Sequence, residues 1–203
     1  MKILYRAATT LLLGLFASGA TGQDLASVVE NCNGCHGDDG VSQWTDVPTI
    51  AGIPEFVLAD SLYFFRDNAR PCSTSEYRQG DTSRAPTTMC EVVADLSDET
   101  IDAVATHYFE LPFVPAAQDF DADLAAAGQA LHDKNCGKCH SDGGSNPDDE
   151  ASIIAGQWMG YLEATFAEYR AGEREQPSLM QRKLDALSDD DVKALVHYYA
   201  SQQ

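Results

Sequence analysis

Two cysteines three positions apart, followed at once by a histidine, occur twice in the chain: Cys32, Cys35 and His36, then Cys136, Cys139 and His140. Thiols at this spacing can form a redox dithiol, share a metal, or add to the vinyl groups of a porphyrin whose iron the next imidazole binds. A redox dithiol does not require a histidine at the following position in both copies. A zinc site would pool the four cysteines, yet each pair carries its own histidine. Haem attachment accounts for both copies. Two covalently bound c-type haems are therefore expected, with the four cysteines as thioether donors and His36 and His140 as proximal iron ligands.

The sixth iron ligand follows by elimination. Apart from Met1, the methionines are Met89, Met159 and Met180. Met89 and Met180 each stand seven residues before a Leu-Ser-Asp triplet. Met159 has no counterpart methionine and sits beside Trp158, which suits core packing. Core filling is also open to Met89 and Met180, but their matching positions favour ligation, a pairing with histidine that raises the reduction potential. His107, His132 and His197 read as exposed or core-edge residues. Pro48 is placed either to offer its carbonyl to His36, as second-shell groups do for a ligating histidine, or simply to make a turn; Ser152 holds its place in the second half.

The motif recurs within a longer repeat. Ile50-Ala51-Gly52 returns as Ile154-Ala155-Gly156 at the same shift of 104 as the cysteines. Beyond Arg66 the shift falls to 91, aligning Met89 with Met180 and Leu96-Ser97-Asp98 with Leu187-Ser188-Asp189. One unit has been duplicated, and the first copy holds 13 extra residues between Arg66 and Met89. Cys72 and Cys90 bracket nearly all of that insertion. In an oxidising compartment they are expected to pair, and closing a loop of this size stabilises by about 3 kcal/mol in the chain-entropy model. A redox-active thiol pair beside the first haem is the alternative.

The elements that must position these groups read as helices. Ile101, Val104, Ala105 and Tyr108 repeat at helical spacing, as do Val192, Leu195, Val196 and Tyr199. Ser97 and Ser188 are placed as N-caps, with acids in the first turns. Phe56, Asp60, Tyr63 and Phe64 suggest a middle helix, with Leu162, Phe166 and Tyr169 in its counterpart. Short helices lead into each cysteine cluster, and no stretch alternates convincingly with the period of a strand. The class is all-α. Two prolines in Leu111-Pro112-Phe113-Val114-Pro115 mark a connector, which divides the chain into residues 1–22, 23–115 and 116–203.

Residues 1–22 read as an export signal: Lys2 and Arg6, then an apolar run from Ala7 to Ala17, then the small residues Ala20-Thr21-Gly22. Cleavage near Gln23 would place the mature protein in the periplasm, with no segment left that could span a membrane. Removal of Lys2 and Arg6 takes the net charge from −19 to −21. So acidic a chain is a poor ligand for nucleic acid or anionic lipid, and its net charge favours a basic face on a protein partner.

The order of cysteine motif, Ile-Ala-Gly, aromatic helix, methionine and Leu-Ser-Asp helix, twice over, resembles the dihaem class I cytochromes c. The resemblance implies two tandem cytochrome c domains related by a pseudo-two-fold axis. The second half is similar in more detail to the cytochrome subunit of flavocytochrome c sulfide dehydrogenase, through Phe120-Asp121, the run Leu131 to His140, Ile154-Ala155-Gly156-Gln157-Trp158, Tyr161-Leu162 and the terminal Tyr199-Ala200-Ser201-Gln202-Gln203. That resemblance implies a partner flavoprotein (FAD) subunit that oxidises sulfide, a small cytochrome as electron acceptor, and no independent catalysis by this chain. The inserted loop departs from that subunit's pattern. A free-standing dihaem carrier feeding a terminal oxidase or reductase is the competing expectation. A peroxidase needs an open axial position, which two well-placed methionines oppose.

Overall fold

The computed structural model describes residues 24–203; the export signal expected over residues 1–22 lies outside the described residues. In the first half, α1 (Leu25–His36) carries the cysteine motif, α2 (Glu55–Arg66) is the middle helix, and a short ladder pairs β1 (Thr74–Ser75) with β2 (Thr87–Thr88). Then come α3 (Met89–Val93) and α4 (Asp98–Phe109). The second half runs α5 (Ala122–Asn135), α6 (Met159–Arg170), α7 (Ser178–Asp185) and α8 (Asp189–Ala200).

The caps form where the sequence places them. Ser97 Oγ accepts from the Thr100 N–H to start α4. Ser188 and Asp191 form a reciprocal capping box at the start of α8, satisfying two donors that a helix end otherwise leaves bare. Ile101, Val104, Ala105 and Tyr108 are all buried on α4, and Leu195, Val196 and Tyr199 on α8, with Val192 packed at the edge. The methionine segments are helical rather than extended: Met89 opens α3 behind a Thr88–Glu91 capping box, and Met180 lies within α7. Cys72 and Cys90 are joined, with Cα atoms 5.8 Å apart, and the bridge ties the inserted loop to α3.

The middle helix forms where expected, and of its four signal residues Tyr63 lines the core. Phe56 and Phe64 are exposed, whereas Leu58, Ala59, Leu62, Tyr63 and Phe65 line the first core. The duplication is visible in the backbone. Ile50 and Ile154 each donate to a glycine carbonyl, of Gly40 and Gly144 (2.8 and 2.9 Å). Gly52 and Gly156 donate to the carbonyls of Tyr108 and Tyr199, both at 2.8 Å. Both glycines have positive φ, 69° and 71°, a region that side chains disfavour.

Gln157 joins the halves. It is 2% exposed; its Oε1 accepts from the Thr49 N–H (3.1 Å) and its Nε2 donates to the Thr49 carbonyl (2.7 Å). Trp158 Nε1 donates to the Ser42 carbonyl (2.9 Å), and the Tyr161 N–H to that of Thr45 (2.7 Å). Replacing Gln157 by alanine would leave two buried backbone groups unpaired at about 1–3 kcal/mol each. Gln157→Ala is therefore expected to uncouple the halves, splitting one calorimetric transition into two; a single unshifted transition would show that the halves are held by other contacts.

Candidate haem centres

His36 closes α1 and is buried, and burial holds its imidazole below its usual pKa. Its Nδ1 lies 3.0 Å from the Pro48 carbonyl, which can only accept. Nδ1 therefore carries the proton and donates, leaving Nε2 as a free donor to a metal. Cys32 is neutral: burial pushes its thiol up to about 11, against an opposing hydrogen bond from Tyr108. Burial also raises Cys35 and Cys136. A working redox dithiol needs a depressed thiol pKa, so these pairs are poorly suited to that role. Among the described residues no group of three or more His, Cys, Asp or Glu side chains stands together as a metal site.

The methionines face the same cores as the motifs. Met89 and Cys32 both pack against the cluster of Val28, Val93, Leu96, Ile101, Val104 and Tyr108. Met180 packs against Leu162, Leu184, Leu187, Leu195, Val196, Tyr198 and Tyr199, as does Met159, which the sequence assigned to packing.

The two centres differ in what surrounds them. Tyr108 Oη donates to Asn33 Oδ1 (2.8 Å) between the first pair of cysteines. Its counterpart Tyr199 meets Gly137 at that position and instead bonds His132 Nδ1 (3.1 Å). His132, expected at the core edge or surface, is only 2% exposed. The exchange explains the burial: losing Asn33's amide leaves a phenol without a partner, and an imidazole in place of Val28 supplies one. His140 Nδ1 is buried and faces the backbone of Ser152, at Pro48's repeat position, in poorer geometry than His36 has with Pro48.

Sequence reasoning missed a group at the seam between the halves. The shift of 104 runs on past Arg66 to pair Arg70 with Arg174, whose side chains are 7% and 14% exposed. Both point at Glu168 Oε2, at 3.6 and 3.9 Å, and they stack on Phe65 and Tyr169 at 4.1 and 4.6 Å. Arg70 Nε, Arg174 Nη1 and Gln176 Oε1 are buried with no hydrogen bond. Burial would raise the neighbouring Tyr161 phenol, but the charges of Arg174 and Arg70 outweigh it and hold that phenol low. One carboxylate cannot neutralise two buried guanidiniums, and an uncompensated buried cation is strongly destabilising. The seam is short of anion. The two carboxylates that every haem carries meet that need, so the donor set, the free imidazole nitrogens and this seam all fit the group. The shift that pairs the arginines was present in the sequence; what hid them was their position beyond the aligned aromatic helix.

Comparison with known proteins agrees with the geometry. Residues 123–198 match the family model "Cytochrome C oxidase, cbb3-type, subunit III". Cytochrome c-554(548) of Halomonas halodenitrificans is 35% identical over 83 residues, covering 39% of this chain and 96% of that protein. The thiosulfate dehydrogenase electron acceptor of Stutzerimonas stutzeri is 29% identical across 94% of this chain and 90% of its own length. The crystal structure of reduced recombinant cytochrome c4 from Pseudomonas stutzeri superposes with a TM-score of 0.70, at 23% identity, covering 89% of this chain and 99% of that one. The chain belongs to the cytochrome c family. Within it, the chain is cytochrome c4-like: two tandem class I domains, two covalently bound c-type haems, and electron transfer as its work. No helix among the described residues is long and apolar enough to cross a membrane.

Proposed function

We propose that this protein is a periplasmic dihaem electron acceptor for a dehydrogenase that oxidises thiosulfate. The observation that carries this reading is the match, across nine-tenths of both chains, to a relative named as the electron acceptor of such an enzyme. That full-length match outweighs the resemblance of the second half to a subunit that serves a sulfide-oxidising flavoprotein. Residues 23–115 and 116–203 serve as the two domains.

Each haem supplies a one-electron couple at its iron. Cys32 and Cys35 hold one haem by thioether bonds, Cys136 and Cys139 the other. His36 and His140, through Nε2, and Met89 and Met180, through sulfur, would be the side chains that ligate the irons. Pro48 would fix the ring and tautomer of His36 and increase its basicity; Ser152, in poorer geometry, would do less for His140. Arg70 and Arg174 would bind the haem carboxylates at the seam. Burial of His36 and of the cores around Tyr108 and Tyr199 keeps the centres dry.

The test is reduction of the purified dihaem protein by thiosulfate and a thiosulfate dehydrogenase, followed at the haem absorption bands. Catalytic reduction of both haems is expected. Reduction only by a sulfide-oxidising flavoprotein would restore the flavoprotein partner and overturn this donor.

A further inference from the structure

The insertion is tied to the methionine segment of the first half at two points. Cys72, within the insertion, is bonded to Cys90, and Cys90 directly follows Met89. The ladder of β1 and β2 pairs Thr74 with Thr88, the residue just before Met89. Both ties thus flank the methionine. A bridge that only steadied the insertion could join two of its own residues; this one leaves the insertion and closes on the helix that carries Met89.

Without the bridge, little holds the start of α3. The helix has five residues, too few to be stable by itself, and paired strands of two residues add little. Its Thr88–Glu91 capping box shapes it from within but ties it to no other element. Val93 is buried at its far end, whereas Met89 and Val92 are only partly buried against the core. The second half does without a bridge. Gln181 stands at the repeat position of Cys90, and Met180 lies on the eight-residue α7, which Gln181 and Asp185 brace with a hydrogen bond of 2.6 Å. The insertion itself is also held elsewhere: the Arg78 and Gln79 N–H groups donate to the Gly34 carbonyl (2.8 and 3.2 Å), and Arg78 pairs with Asp46. Opening the bridge therefore frees the methionine segment and leaves the loop in place. Cys72 and Cys90 are half-buried beside exposed Ser73 and Glu91, so a thiolate can reach them.

We propose that the Cys72–Cys90 bridge is a thiol-sensitive latch on Met89: a dithiol opens it, the start of α3 loosens, and the first centre loses its sulfur ligand while the second keeps Met180. The proposal rests on the axial assignment of Met89 but not on the donor's identity. The chemistry is thiol–disulfide exchange. A thiolate of the dithiol attacks one sulfur of the bridge, and the other sulfur leaves as a thiolate and takes up a proton. The second thiol of the reductant then resolves the mixed disulfide. Two electrons and two protons pass to Cys72 and Cys90, and the reductant leaves as its own disulfide. Methionine ligation raises the reduction potential, so the opened first centre is a poorer electron acceptor. Surplus dithiol thereby weakens the carrier at one of its two centres.

The test uses the dihaem protein, its irons kept ferrous by ascorbate, which leaves disulfides intact, and dithiothreitol as the dithiol. Alkylation and intact mass count the free thiols. Before treatment, two upfield-shifted methyl resonances of iron-bound methionine are expected, and Met89→Ala identifies the one from the first half. With both thiols free, the Met89 resonance should disappear and carbon monoxide should bind at one iron per chain. Amide exchange of residues 91–93 should rise by about tenfold or more. The Met180 resonance and the protection of the Arg78 and Gln79 amides should not change. Re-forming the bridge with oxidised glutathione should restore the Met89 resonance. Cys72→Ser with Cys90→Ser, both haems present, should behave as the treated protein does. The latch is overturned if the Met89 resonance persists with both thiols free, or if Arg78 and Gln79 lose protection along with α3. In both cases the axial assignment stands. A protein with no Met89 resonance before treatment would overturn that assignment, and the latch with it.

Discussion

A chain carrying Cys136→Ala and Cys139→Ala is expected to mature with one haem in place of two and with its second half unfolded. Each half has fewer than 100 residues, and units of that size bury too little surface to be robust without a staple or cofactor. In the second half, Leu131, Met159, Tyr161, Phe166, Tyr169 and Met180 are only partly buried against the core. That half-finished apolar wall needs the porphyrin to complete it. The first half keeps its own cluster around Ile101 and Tyr108, its disulfide and its capped α4. Intact mass would show the loss of a single haem. Amide resonances of residues 98–109 should remain dispersed while those of 122–135 collapse. A mass that still includes two haems would end the thioether assignment in the second half.

Gly128→Val is expected to have a comparable effect on folding for a different reason. Helices α5 and α8 make the most extensive helix pairing among the described residues, and Gly128 lies in their contact. A Cβ added there would drive into the backbone carbonyl of Ala194 and stand 2.7 Å from Tyr198 Cβ. Backbone cannot turn aside as a side chain can, and overpacking of this kind costs about 3 kcal/mol or more. Stability of small domains is about 5–15 kcal/mol, so the melting temperature of the second half should fall sharply. Gly172→Ala is the control: its φ is +71°, yet nothing lies within 4 Å of a Cβ there, so only about 1 kcal/mol of backbone strain is expected. Equal losses from the two variants would mean that the crossing is looser than it looks.

The sequence made the duplication, the capped helices and the chemistry of each motif legible, because those signals are local or repeat at one shift. Ser97 and Ser188 could be read as caps from their own neighbourhoods. His132 could not: its burial depends on Gly137 standing where Asn33 stands in the other half, a change felt through Tyr199, 67 residues away. The bond between Gln157 and Thr49 spans 108 residues, and no periodicity reports it. On α2, Phe56 and Phe64 stand exposed while Tyr63, Phe65, Leu58, Ala59 and Leu62 line the core, because a short helix with apolar residues all round does not say which of them meets it. The helices around Met89 and Met180 were missed because five and eight residues are too few for a period to declare itself.

The facing arginines at the seam also bear on how the molecule is made. Until both cofactors arrive, two like charges oppose each other in a crevice with a single acid between them. A chain loaded with one haem would thus hold a looser seam than one loaded with both.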